Sequence, residues 1–227
     1  MVRGCAGGQE RLTLEAQARA FASDISHLLN NTVTSGVRIS AVLNRDTGDC
    51  WVGRNLTRTN LAPAPVSLSL GRKAPRAYLF VAHILQLDPE GRHLMNTQAT
   101  FGVYLDEDLE EMAVHYDYIR TPSNPYPEAH LQLSGDSPAF TRLGERAGLE
   151  STLGRLHFPV GGRRYRPSLE DLVEFLVVEG FVEAHEGWED VVRFHRDKFH
   201  ELQLKAAVRR NPGAAREALE DVDDEEQ

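Results

Sequence analysis

Between Ala113 and Pro159 the chain places a histidine at an alternating position of three short strand-like segments, and no other feature restricts the fold as much. The segments are Ala113-Val114-His115-Tyr116-Asp117-Tyr118-Ile119, Ala129-His130-Leu131-Gln132-Leu133-Ser134 and Arg155-Leu156-His157-Phe158-Pro159. Successive side chains of a strand point to opposite faces. In a favourable register Val114, Tyr116, Tyr118, Leu131, Leu133, Leu156 and Phe158 share one face, while His115, Asp117, His130, Gln132, Arg155 and His157 gather on the other. The pattern predicts an antiparallel sheet with one apolar and one polar face.

The rest of the chain has the composition of a soluble globular protein: 227 residues, 41% hydrophobic and 26% charged. One α+β domain is expected over residues 13–212, after a disordered leader over residues 1–12 and before an acidic, mobile tail over residues 213–227. The formal charge of −9 is mostly that tail: Glu217 to Gln227 holds seven acids and no base, so the body carries only −2. Two cysteines, Cys5 and Cys50, are too few for a disulfide framework and show no zinc-ligand spacing. No signal-peptide core and no run approaching about 20 apolar residues is present, so a cytoplasmic setting without a membrane partner is expected.

Leu14, Ala18, Phe21, Ala22, Ile25, Leu28 and Leu29 recur at helical spacing and predict a helix from about Thr13 to Leu29. Val37–Leu43 and Cys50–Val52 read as a hairpin, with Asp46-Thr47-Gly48-Asp49 as its turn. Prolines at 63, 65 and 75 leave room only for a short strand at Val66–Leu70. Ala77–Leu87 and Thr97–Leu105 continue the sheet, giving a meander of five or six strands with the histidine segments. A variable helical stretch lies around Ser137–Ala147. After Pro167, Ser168 is an N-cap with Asp171 three residues on, heading the stripe Leu169, Leu172, Val173, Leu176, Val177 that ends at Gly180. A long helix then runs from Trp188 to Asn211.

The runs Asn124-Pro125-Tyr126-Pro127-Glu128-Ala129-His130-Leu131-Gln132, Arg155-Leu156-His157-Phe158-Pro159-Val160-Gly161-Gly162-Arg163-Arg164-Tyr165-Arg166-Pro167-Ser168-Leu169-Glu170-Asp171, Glu174-Phe175-Leu176 and Gln203-Leu204-Lys205-Ala206-Ala207-Val208-Arg209-Arg210 carry a resemblance. Over roughly its C-terminal half the chain resembles a group of uncharacterised actinobacterial cytosolic proteins with no established activity. That implies a bacterial, cytosolic setting and lends no catalytic residue. More loosely, the order of aromatic-Asp strand, Pro- and His-containing segment and helix is similar to small α+β toxins of toxin–antitoxin modules. The chain departs from them in lacking closely spaced histidines after Asp117.

Two constellations carry chemistry. His115, Asp117, His130, Arg155 and His157 are the candidate catalytic set. Imidazoles and a carboxylate suit zinc, but their spacing matches no compact ligand motif such as His-Glu-x-x-His, so no metal and no cofactor is assigned. Metal-free acid–base chemistry would use His130 or His157 oriented by Asp117, with Arg155 on an anion, as a ribonuclease does. The plain alternative is a polar sheet face with ordinary hydrogen bonds. Arg163, Arg164 and Arg166, in Gly161-Gly162-Arg163-Arg164-Tyr165-Arg166, are the candidate anion site, since glycines permit close approach and the arginines and Tyr165 suit a phosphate or a base. The plain alternative is a turn whose arginines pair with Glu170, Asp171, Glu174 or the acidic tail. His195 reads as a packed histidine, Trp188 and Phe199 as core or dimer seam, and Cys50 as a buried inert thiol.

With no recognisable catalytic motif, the leading expectation is a non-enzymatic binding or regulatory module acting through protein partners, a homodimer among them. The alternative is a small nuclease-like hydrolase, related to toxin–antitoxin or defence systems, working through the histidine set. Nucleic acid as partner gains no support from the net charge. Whether the chain is an enzyme turns on whether His115, Asp117, His130 and His157 come within hydrogen-bond or metal-ligand reach in a concave, open pocket.

Overall fold

The alternation read from the sequence becomes an eight-stranded antiparallel sheet in the computed structural model, which describes residues 12–148 and 153–225. The strands are β1 (Ile39–Leu43), β2 (Cys50–Arg54), β3 (Val66–Leu68), β4 (Ala77–Leu87), β5 (Leu94–Tyr104), β6 (Met112–Ile119), β7 (Ala129–Leu133) and β8 (Phe158–Pro159). They lie in the order β1-β2-β4-β5-β6-β7-β8, with β3 paired to β4. The fold is α+β with a meander-like sheet, as expected, but with more strands than the five or six counted from the pattern.

Register fixes the two faces. Leu79, Val81 and His83 of β4 pair with Val103, Phe101 and Ala99 of β5, which pair in turn with Val114, Tyr116 and Tyr118 of β6. These continue to Leu133, Leu131 and Ala129 of β7, and Phe158 pairs with Leu131. The opposite face carries Thr100, Asp117 and His130 in one row and Gly102, His115 and Gln132 in the next. A one-residue slip would exchange the faces. Gly102 is required here: a Cβ would come 2.8 Å from the Val114 carbonyl oxygen.

Helices cover the apolar face. Helix α1 (Leu14–Asn30) starts where the Thr13 hydroxyl accepts the Ala16 amide at 3.2 Å, and it buries Ala18, Ala22, Ile25, Leu28 and Leu29. Those residues join one core with Val52, Leu79, Val81 and Phe101 of the sheet. Helix α2 (Pro138–Ala147) rests on the far edge through an edge-to-face contact of Phe140 with Phe158. A single short turn, α3 (Gly162–Tyr165), stands where a loop was expected. Helix α4 (Leu169–Val178) opens with the reciprocal Ser168 and Asp171 capping box and buries Leu169, Leu172, Val173 and Leu176 in the same core. Helix α5 (Trp188–Arg210) is tied to α4 by Arg196, which reaches Asp171 and Glu174 at 3.0 and 2.5 Å.

Three expectations change or fall outside what is described. The strand expected at Arg155–Pro159 shrinks to the two residues of β8, because Leu153–Arg155 curl into a 3₁₀ turn. The chain expected to be an acidic tail continues as helix α6 (Pro212–Glu225), consistent with proline at the first helical position and an Ala/Glu-rich sequence. Cys5 and all but the last residue of the expected leader lie outside the described residues. Among those described, no helix is long and apolar enough to cross a membrane.

Candidate functional sites on the two faces of β6

Alternation along β6 sends His115 and Asp117 to the open face and Tyr116 and Tyr118 to the helix-covered face, so one strand serves two sites.

On the open face Asp117 is the hub. Its Oδ1 accepts the Thr100 hydroxyl at 2.6 Å and lies 3.1 Å from His115 Nε2, and its Oδ2 lies 3.6 Å from His130 Nε2. The His115 contact is an ion-pair distance without hydrogen-bond alignment, since that nitrogen finds no aligned acceptor. The second nitrogen of each ring is also engaged: His115 Nδ1 stands 3.5 Å from the Tyr104 hydroxyl, and His130 Nδ1 donates to the Pro127 carbonyl at 3.2 Å. His157 stacks on Tyr126 with ring centroids 3.7 Å apart and meets His130 edge-on at 4.7 Å. His115, Asp117, His130 and His157 therefore converge.

Arg155 does not join them. It sits in the 3₁₀ turn with its side chain exposed, because that turn interrupts the alternation that would have aimed it at His157. Burial alone would raise the Asp117 carboxyl, but the adjacent His115 imidazole, the hydroxyl of Thr100 and the neighbouring His130 outweigh it and hold the group below the usual range. Burial, then the charge of His130, lowers His157. Among the described residues no group of three or more His, Cys, Asp or Glu side chains stands in a metal-holding arrangement. The cluster is shallow: the side chains of His115 and Asp117 are each 20% exposed and that of His130 only 5%.

The arginines lie behind β6. Gly161 turns the chain after β8 at φ +50°, where a Cβ would stand 1.9 Å from the Tyr165 carbonyl oxygen, so only glycine admits this wrap. The turn carries Arg166 onto the Tyr118 ring, its guanidinium carbon 4.2 Å from the centroid, and within 5.6 Å of the Phe199 ring. Arg164 donates to Gln203 Oε1 at 3.2 Å. Among the described residues Arg163 alone of the three finds an acid, making a forked contact with Glu128, a partner that was not foreseen. Glu170, Asp171 and Glu174 do not pair with them; Arg196 takes Asp171 and Glu174 instead.

Between these elements opens a cavity of about 390 Å³, bordered by Tyr116, Arg164, Arg166, Asp171, Phe199 and His200. Burial and then the repulsion of Arg210, Arg120 and Arg163 weaken the hold of Arg164 on its proton, and burial does the same for Arg166. The sequence named the arginines but missed the cavity walls. Tyr116 and Phe199 carried only the signal of apolar periodicity, which core residues share, and Arg120 follows β6 with no motif around it.

No family model, no curated protein and no solved structure matches the chain.

Proposed function

We propose that the protein is a non-enzymatic binding and regulatory module that takes an anionic group into the arginine cleft. The observation that carries this reading is the state of Arg164 and Arg166: both guanidinium groups border a cavity, and neither has a carboxylate within ion-pair distance among the described residues. Both side chains are partly buried; a cation there without a counter-charge loses hydration, and an incoming phosphate or carboxylate offsets that loss by accepting forked hydrogen bonds. Titration of the full chain with inorganic phosphate, followed calorimetrically, tests it. Saturable binding that weakens at least tenfold, about 1.4 kcal/mol, in Arg166→Ala is the expected result; binding that is absent or unmoved by Arg166→Ala and Arg164→Ala overturns it. For a protein partner, the exposed Phe175, Val178 and Phe181 at the C-terminal end of α4 supply an apolar surface. A second copy of this chain is the expected occupant. Sedimentation at rising concentration should show a dimer that Phe181→Ser dissolves, and a strictly monomeric chain removes the homodimer.

A second reading has one observation in its favour, the carboxylate of Asp117 set between two imidazoles with His157 beside them. An oriented imidazole is a competent general base, and the nuclease-like hydrolase rests on it. Among the described residues no cation joins it: Arg155 is exposed in the 3₁₀ turn, and Arg166 stacks on Tyr118, which faces the other side of the strand. RNA degradation by the purified protein that disappears in His130→Ala would carry this reading; equal rates in the two proteins would end it.

A further inference from the structure

The cleft is aromatic as well as cationic, and the two together narrow its ligand more than charge does. Tyr116 forms one wall from β6, and Phe199 and His200 form another from α5 with ring centroids 5.9 Å apart. Tyr165 lines the same cavity yet is 83% exposed, a large ring at the mouth with solvent over most of its surface. The volume of about 390 Å³ falls in the range of about 300–1,000 Å³ typical of small-molecule sites and is far more than a bare anion needs.

The charges are matched to one phosphate. Arg163 is held by Glu128, leaving Arg164 and Arg166, and two guanidinium groups balance a phosphomonoester of about −1.5 to −2. Asp171 also borders the cavity, but its oxygens are turned to other donors: Oδ2 accepts the Ser168 amide at 2.7 Å and Oδ1 accepts Arg196 Nε at 3.0 Å, so part of its charge is offset by Arg196, which it shares with Glu174. The same contacts cap α4, so the phosphate is left to the arginines. A long polynucleotide gains nothing from a body whose net charge is only −2 outside the acidic C-terminal segment.

We propose that the cleft is a mononucleotide site, in which Arg164 and Arg166 hold a single phosphate and the base stacks against Tyr165 and His200 at the mouth. This rests on the anion-binding reading above and assigns that site its ligand class. Base–aromatic stacking tolerates any base, so the site selects the presence of a base before its identity.

The experiment is calorimetric titration of the full chain with each nucleoside 5′-monophosphate, ribose 5-phosphate, inorganic phosphate and phosphotyrosine. At least one mononucleotide should bind about tenfold or more tightly than ribose 5-phosphate, the scale of one base stack. Tyr165→Ala, at an exposed position, should erase that difference. Equal affinity for mononucleotides and ribose 5-phosphate would overturn the base site while the anion site stands. Phosphotyrosine binding more tightly than every nucleotide would overturn it in favour of a phosphorylated peptide. No binding by any of them would end both readings.

Discussion

The two faces of β6 handle charge in opposite ways. On the open face a carboxylate answers the cluster: Asp117 accepts the Thr100 hydroxyl and stands within ion-pair distance of His115 and His130, and the far nitrogens of the two histidines reach Tyr104 and Pro127. On the covered face the cationic groups are packed but unanswered. Arg166 lies on an aromatic ring and donates to the Arg163 carbonyl, and Arg164 touches an amide, neither with a carboxylate partner among the described residues; the neutral His83 beside them is buried with Nε2 lacking any hydrogen-bond partner among the described residues. A network satisfied within the chain adds rigidity. An unanswered one leaves free energy for a ligand to recover, which is why the cleft, and not the more conspicuous histidine cluster, carries the functional reading.

The largest effect that would sharpen this contrast is acid sensitivity from the covered face. Burial, with Arg166 acting in the same direction, pushes His83 down to about 3 from an ordinary 6.5. A histidine whose folded value is depressed stays neutral in the fold while the unfolded chain takes up a proton, so its stability contribution is full above pH 6.5 and is lost as pH falls towards 3. The loss at full extent is on the order of 5 kcal/mol. His157 and His195, also lowered by burial, act in the same sense. Chemical denaturation at stepped pH should show stability falling from about pH 6.5, and His83→Gln, which keeps an acceptor for Asn96, should flatten most of that limb. A limb unchanged in His83→Gln would place the acid sensitivity elsewhere.

The paired face should answer differently. Asp117→Asn removes a carboxylate that accepts the Thr100 hydroxyl and stands beside two imidazoles, and a loss of about 1–3 kcal/mol follows from the polar groups left behind. Its folded value is depressed, so the contribution is present above the unfolded carboxyl value near 3.8 and is lost only as pH falls below it. The Asp117→Asn penalty, measured by denaturation, should therefore be constant from pH 5 to 7 and shrink below pH 4, with phosphate affinity unchanged. If that affinity falls with Asp117, the two faces are coupled and the separation drawn between them fails.

Much of the architecture was legible because it follows a period of two. Ala77–Leu87, the helix at Leu14–Asn30 and the Ser168 cap stand where alternation, helical spacing and capping chemistry put them. The convergence of His115, Asp117 and His130 followed from register alone, since Asp117 pairs directly with His130. Arg155 was misplaced because a 3₁₀ turn obeys no two-residue period. The cleft was illegible for a different reason: Tyr116 comes from the sheet, Arg166 from a single turn and Phe199 from α5, and nothing local in sequence records that three elements close on one volume. Glu128 was missed as the Arg163 partner because the two lie 35 residues apart.

That pair gives the smallest and most discriminating change. Arg163 and Glu128 are about 30% exposed on both sides, a setting in which an ion pair contributes roughly 0–1 kcal/mol. Glu128→Gln should therefore cost under about 1 kcal/mol in denaturation. It also frees a third guanidinium beside Arg164, whose neighbours already include Arg163 and Arg120. If unanswered cations are what the cleft offers, removing the one carboxylate that answers Arg163 must raise phosphate affinity, by a few-fold at low salt and less as salt screens the added charge. Affinity that stays level in Glu128→Gln would mean that Arg163 lies outside the reach of the ligand. Affinity that falls would mean that the Glu128 pair positions the turn, so that the paired and unpaired arginines belong to one network.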